Sequence, residues 1–396
     1  MEKIMQNRVG IVSCYFHPNY GSMLQAYATQ KIIEEMEFSC ENICIDGIKK
    51  EMEQSKVRFY LKQVGNPQVF TGTILRIGKK VLYKKLLKKT LGKSLQERQT
   101  CFTKFIEEHF IISAAAGSKA ELTETCKQYD TIVIGSDQLW LPSNIEADYY
   151  TLNWVPEEVK KVAYATSFGT SFLPEKLQGK AREFLQRFQC LSVREYAGKE
   201  MIQKYAGLEV PVVCDPTILF TGEEWMGIQQ EQPLITGDYI LCYFLGNNKE
   251  DRDFADRLRK ETGCKIVALL HLDEFIKADE VYADETPFSV GPGELLNLIR
   301  CANYIVTDSF HGSVFSMLYG KIFFTSQRVR KKGLLNTNSR IESLMQLSGI
   351  TGRLITGDEN VRDCLDREID YKAVHENLAR ERAAGREYLR LALESD

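Results

Sequence analysis

Short apolar, β-rich runs alternate with helical patterns along nearly the whole chain. They fall at residues 9–15, 44–46, 131–134, 161–165, 190–193 and 210–214, then at 239–245, 265–270, 304–306 and 322–325. Strands separated by helix-length intervals do not pair as hairpins; they need crossover connections, and these build parallel sheets covered on both faces. The expected fold class is therefore α/β with two parallel sheets. At 396 residues the chain also exceeds the size at which a single core keeps growing. Residues 223–237 are polar and hold Pro233 and Gly237 just before the second strand series, so a domain border is expected there. The division expected is 1–230 for the first domain with a basic helical insert over 50–110, 237–350 for the second, and a helical tail over 355–396.

A net charge of -3 offers no global attraction to nucleic acid, and no apolar run approaches membrane-spanning length. Residues 1–7 are polar and lead straight into a strand, so no secretory signal is read and a cytoplasmic protein is expected. The 11 cysteines are odd in number and scattered without a Cys-x-x-Cys, which fits reduced thiols better than disulfides or zinc. One stretch departs from the average. Over 71–93 the chain carries Arg76, Lys79, Lys80, Lys84, Lys85, Lys88, Lys89 and Lys93 with no acidic residue, interleaved with aliphatic residues at helical spacing. Such a helix lies on an anionic membrane face, grips an anionic acceptor, or merely presents its lysines to water. No aromatic stacking platform accompanies the lysines, so nucleic acid is not expected as a partner.

Open parallel sheets bind ligands beyond the carboxyl ends of their strands, so the polar loops that follow strands are where chemistry is expected. At 304–306 a strand runs into Thr307-Asp308-Ser309 and then a helix opening on His311-Gly312-Ser313. That junction aims amide N–H groups and the positive end of a helix dipole at one point, and His311 adds a titratable proton donor. After the first strand, Gly21 permits close backbone approach, while Asn19 and Ser22 cap the next helix or hold a ligand. Gly135, Ser136, Asp137 and Gln138 follow a buried strand at once, an unusual choice for a bare connection. Arg194 at a strand end forks onto a carboxylate or phosphate, or else pairs with Glu195 or Asp215 and braces the fold. Asp215-Pro216-Thr217 reads as a structural turn, and Gly246-Asn247-Asn248 as half of a nucleotide crevice. Neither His-Glu-x-x-His, nor a P-loop, nor a Gly-x-Gly-x-x-Gly after a strand occurs, so no metal, NTP or NAD site is expected.

Taken in order, five motifs resemble the polysaccharide pyruvyl transferase family: Asn19 through Tyr27, Gly135 through Trp140, Ser192 through Glu195, Asp215-Pro216-Thr217 and Thr307 through Gly312. The family is similar in fold to GT-B glycosyltransferases, which implies two Rossmann-like domains facing across a cleft, acceptor side first and donor side second, and a C-terminal helix crossing back. The resemblance implies phosphoenolpyruvate as co-substrate, no other cofactor, and a sugar of a surface polysaccharide or its lipid-linked precursor as acceptor. The product would be a pyruvate ketal. Its formation needs an acid for C3 of the enol, for which His311 is the candidate. Ser309, Gly312 and Ser313 at the helix start, with Arg194 and a second cation at Arg340, would hold the donor's two anionic groups. Asp308 would orient the imidazole and Asp137 would take the acceptor's hydroxyl proton. Asn19, Gly21, Ser22, Gly135, Ser136, Gln138 and Asn247 complete the expected substrate-binding set. The basic stretch at 71–93 would suit a lipid-linked acceptor at the inner membrane face. Two other readings compete: a GT-B glycosyltransferase using a nucleotide-sugar, and a non-catalytic ligand-binding subunit of envelope biosynthesis.

Overall fold

The computed structural model describes residues 8–62, 92–271, 276, 279, 282–328 and 339–395. The basic stretch at 71–93 lies outside these residues apart from its last two positions, as does the chain between the helices Lys49–Lys62 and Gly92–His109. Five parallel strands form the first sheet: β1 Arg8–Val12, β2 Ser39–Asn42, β3 Thr131–Ile134, β4 Lys160–Thr166 and β5 Cys190–Val193, in the order β2-β1-β3-β4-β5. A second parallel sheet contains β6 Tyr239–Tyr243, β7 Lys265–Leu269, β8 Tyr304–Thr307, β9 Ile322–Ser326 and β10 Leu354–Ile355, in the order β10-β9-β8-β6-β7. Helices cover both sheets, giving two Rossmann-like domains in a GT-B-like arrangement.

The strand orders decide where a ligand can sit. In the first sheet the chain moves outward from β1 in one direction to β2 and in the other to β3, so the loops after β1 and β3 part and leave a crevice. In the second sheet the corresponding switch lies between β6 and β8. The two crevices face each other.

Two strand expectations are corrected. The expected strand at 44–46 is a turn, in which Ile45 O accepts from Ile48 N and Lys49 N; the pairing strand is the more polar Ser39–Asn42, in register with β1 from Arg8 opposite Ser39. Ile45 is buried by packing under the sheet, while Ile43 N still donates to Ile11 O of β1 at 2.8 Å just beyond the pairing strand. The expected strand at 210–214 makes a single bridge from Val212 to Val193, because Pro211 has no N–H to give and Asp215-Pro216 turns the chain away. β10 has only two residues and carries no readable alternation.

The last helix, Tyr371–Glu394, crosses from the second domain back to the first. Arg382 Nε donates to Ile218 O at 2.9 Å, Arg386 Nη2 to Leu219 O at 2.7 Å, and Cys214 Sγ to Glu381 O at 3.4 Å. Gly385 lets the helix lie flat: a Cβ there would stand 2.5 Å from Tyr164 Oη and 3.2 Å from Cys214 Sγ. A single cluster of buried apolar side chains runs through both domains, from Ile11 and Leu24 to Leu241, Phe315 and Leu389. All 11 cysteines are unpaired. No helix among the described residues is long and apolar enough to cross a membrane.

Candidate active site

Residues from both domains line one cleft of about 660 Å³, at the two facing switch points. On the first-domain wall, Asn19 Oδ1 caps the helix Tyr20–Glu35 by accepting from Ser22 N at 3.1 Å. Ser22 Oγ donates to Asp137 Oδ2 at 2.5 Å. Asp137 sits at φ 81°, in the left-handed region that a non-glycine residue occupies only when its surroundings insist. Here Leu139 N and Ser167 N both donate to its carbonyl, at 2.8 and 3.0 Å, and the side chain is thereby aimed at Ser22 and the cleft. Burial alone would raise the Asp137 carboxyl; Arg194, His311, the Ser22 hydroxyl and the Gln138 amide draw it below its ordinary value. Gln138 also lines the cleft.

Beneath that wall lies a buried charge network. Asp215 Oδ2 accepts from Arg194 Nη1 and from Ser136 Oγ, both at 2.7 Å, while Oδ1 accepts from Thr217 N and Thr217 Oγ1. Arg194 also has Asp137 Oδ1 at 3.6 Å and Glu195 Oε2 at 3.8 Å. Of the two readings left open for Arg194, the bracing one matches its surroundings: its side chain is 1% exposed and surrounded by carboxylates. Glu195 is pushed up by burial, against the pull of Arg194 and Ser167, and Arg194 is held above its ordinary value by its three carboxylates despite burial.

The second-domain wall contributes the imidazole. Ser309 caps the helix Phe310–Leu318 by accepting from Gly312 N at 3.2 Å, which places His311 in its first turn. His311 reaches across to the first domain, where Nε2 stands 3.6 Å from Asp215 Oδ2. Gly21 makes the room, since a Cβ there would lie 2.0 Å from His311 Nδ1. Asp215, read from sequence as part of a turn, is thus the carboxylate beside the imidazole. Burial would raise its carboxyl, but His311, Arg194 and the Thr217 hydroxyl hold it well below the usual range.

The expected role of Asp308 is corrected by the same geometry. Its carboxylate accepts from Leu245 N at 2.6 Å and Gly246 N at 2.7 Å, tying the ends of β8 and β6 together instead of orienting the imidazole. Ser313 Oγ donates to Ser309 O, shares a hydrogen bond with the Thr325 hydroxyl and is turned toward β9, so it faces away from the cleft. Gly135 packs against Gln25 and Thr29, and Gly312 against Thr307 and Tyr243; both lie behind the walls. Asn247 is exposed and outside the cleft lining.

Arg340 lines the cleft, as does Arg328, which the sequence did not single out. The Phe310 ring carries Arg194 at 4.6 Å on one guanidinium and Arg340 at 6.0 Å on another. Burial, then repulsion by Arg194 and Arg328, lowers Arg340 to about 9. The Nε atoms of Arg328 and Arg340 have no hydrogen-bond partner among the described residues. Two crowded, under-partnered guanidinium groups beside a helix N-terminus are equipped for an anion. Among the described residues no group of His, Cys, Asp and Glu is arranged to hold a metal ion.

The family model of polysaccharide pyruvyl transferases matches residues 19–325, from the cap of the Tyr20 helix to the end of β9. The chain belongs to the polysaccharide pyruvyl transferase family. The matched span holds both walls of the cleft, including Asp137, Asp215 and His311, and stops just short of Arg328 and Arg340. Among solved structures this pyruvyl transferase family member is similar to UDP-GlcNAc 2-epimerase of Methanocaldococcus jannaschii, with 12% identity over 97% of this chain and 98% of that one and a TM-score of 0.49. It is also similar to UDP-GlcNAc 2-epimerase of Neisseria meningitidis, with 10% identity, 97% and 93% coverage and a TM-score of 0.47. MurG of Acinetobacter baumannii is similar at 9% identity, 98% and 99% coverage and a TM-score of 0.44. No curated protein matches the chain.

Proposed function

We propose that the protein transfers pyruvate from phosphoenolpyruvate to two hydroxyls of a sugar in a surface polysaccharide or its lipid-linked precursor, forming a ketal. The observation that carries this reading is the placement of His311 between Gly21 and Asp215 with Arg328 and Arg340 in the same cleft. The donor needs its phosphate and carboxylate bound and its C3 protonated, and these groups supply cations and an acid.

His311 gives a proton to C3, which becomes a methyl group and leaves C2 cationic; Asp215 stabilises the imidazolium before transfer. One sugar hydroxyl attacks C2 and loses its proton, with Asp137 and Ser22 on the facing wall as the receiving pair. A second hydroxyl attack expels phosphate, so one donor and one diol yield one ketal and one monohydrogen phosphate. Arg194 does not touch the donor in this scheme; it keeps Asp215 and Asp137 ionised.

The direct test is turnover of phosphoenolpyruvate with a surface-glycan fragment in D2O. One deuterium per new methyl group, with stoichiometric phosphate release, is expected, and His311→Ala should lose at least a hundredfold in rate while keeping its circular dichroism. Incorporation from a nucleotide-sugar with no reaction of phosphoenolpyruvate would replace this reading with glycosyl transfer.

A further inference from the structure

Of the three histidines that line the cleft, His17, His271 and His311, the pyruvyl-transfer scheme uses only the last, and His271 stands in a built setting. His271 follows β7, lines the cleft, and has a side chain only 6% exposed. Its Nδ1 stands 2.8 Å from Asp279 Oδ2, and Arg252 fixes the other oxygen of that carboxylate, Nε to Oδ1, at 2.6 Å. Arg252 is itself held by Asn248 O and Gly246 O. With Asp279 on Nδ1, the ring's free nitrogen is Nε2, which is buried and has no hydrogen-bond partner among the described residues. A desolvated nitrogen is costly to leave unpaired, so its position in a cleft lining points to a ligand atom.

The surrounding charge selects the ligand's class. Arg98, 1% exposed, donates to the carbonyls of Leu270, Pro287 and Phe288, and no carboxylate among the described residues pairs with it. Among the described residues Arg252 and Asp279 cancel each other, so Arg98 leaves this corner positive. We propose that His271 forms a second anion subsite that takes a phosphoryl oxyanion of the acceptor, with Nδ1–H donating to Asp279 and Nε2–H to the oxyanion. The subsite is separate from the donor's: β6 stands between β7 and β8, so their ends lie two strand spacings, roughly 10 Å, apart. Only the word acceptor rests on pyruvyl transfer; the anion site does not.

Calorimetric titration of inorganic diphosphate into the full-length protein, already saturated with phosphoenolpyruvate, tests the proposal, with glucuronate as the carboxylate arm. Diphosphate should bind one to one beside phosphoenolpyruvate, with glucuronate about tenfold weaker or more. His271→Gln and, as a second variant, Asp279→Asn should weaken diphosphate by about tenfold and leave phosphoenolpyruvate binding unchanged. Stronger glucuronate binding with the same His271 dependence would keep the subsite and assign it to a uronate. Displacement of phosphoenolpyruvate by diphosphate, or undiminished diphosphate binding by both variants, would overturn it. Failure of phosphoenolpyruvate to bind while diphosphate still does would instead sink the pyruvyl-transfer reading alone.

Discussion

Gly21 and His311 meet across the domain interface with no space to spare, so Gly21→Ala sets a methyl carbon where the imidazole stands. The expected result is a fall in kcat of at least about tenfold with a smaller change in KM for the donor, read by steady-state kinetics, because the proposed acid is displaced while the cations remain. Arg340 predicts the opposite pairing of stability and function. A buried cation beside two others is costly, so Arg340→Gln should raise the stability of the ligand-free protein by about 1 kcal/mol, and, with phosphoenolpyruvate as the proposed donor, should lose most of the thermal shift expected of the parent. Differential scanning fluorimetry with and without donor checks both halves. Asp137 and Asp215 set the acid limb. Both carboxyls lie below the unfolded value of about 3.9, so the unfolded chain binds more protons in the interval beneath it. Their contribution is complete above that value and is lost as pH falls through the folded values; the urea midpoint should drop steeply below about pH 4, and less steeply in Asp215→Asn. At this scale the sequence pointed to His311, Asp137 and Arg340, all of which line the cleft, the first two because polar groups directly after buried strands have few structural reasons to be there. Asp215 was hidden by Pro216, which gave its loop a sufficient structural explanation. Arg98, Arg328 and His271 were hidden because nothing local distinguishes them; the two sheets bring them together from far apart in the chain.

Among elements, the strands at 131–134 and 190–193 were legible to the residue, because each is a short apolar run bounded by polar turns and buried along its length. The run at 44–46 was misread for an instructive reason: Ile45 is as buried as a strand residue while its backbone turns, and burial alone does not distinguish the two. The C-terminal helix was legible as a charged amphipathic helix, but the glycine on its buried face was not. Gly385→Val should lift that helix from Tyr164 and Cys214 and destabilise the protein by about 1–3 kcal/mol, measured by urea unfolding, with kcat of the surviving folded protein near the parent's.

For the whole molecule, the apolar cluster that runs through both sheets, with the returning helix laid over it, couples the domains in folding. A single calorimetric transition is expected, with van't Hoff and calorimetric enthalpies in agreement; two resolved transitions would show that the shared core does not carry cooperativity between the halves. The division of labour around His311 has a further effect. The imidazole belongs to one domain, while the carboxylate that steadies its charge and the notch that receives it belong to the other. In the proposed transfer the acid would be armed only where both walls meet, like a lock needing two keys: without the first-domain wall the imidazole has neither its notch nor its counter-charge.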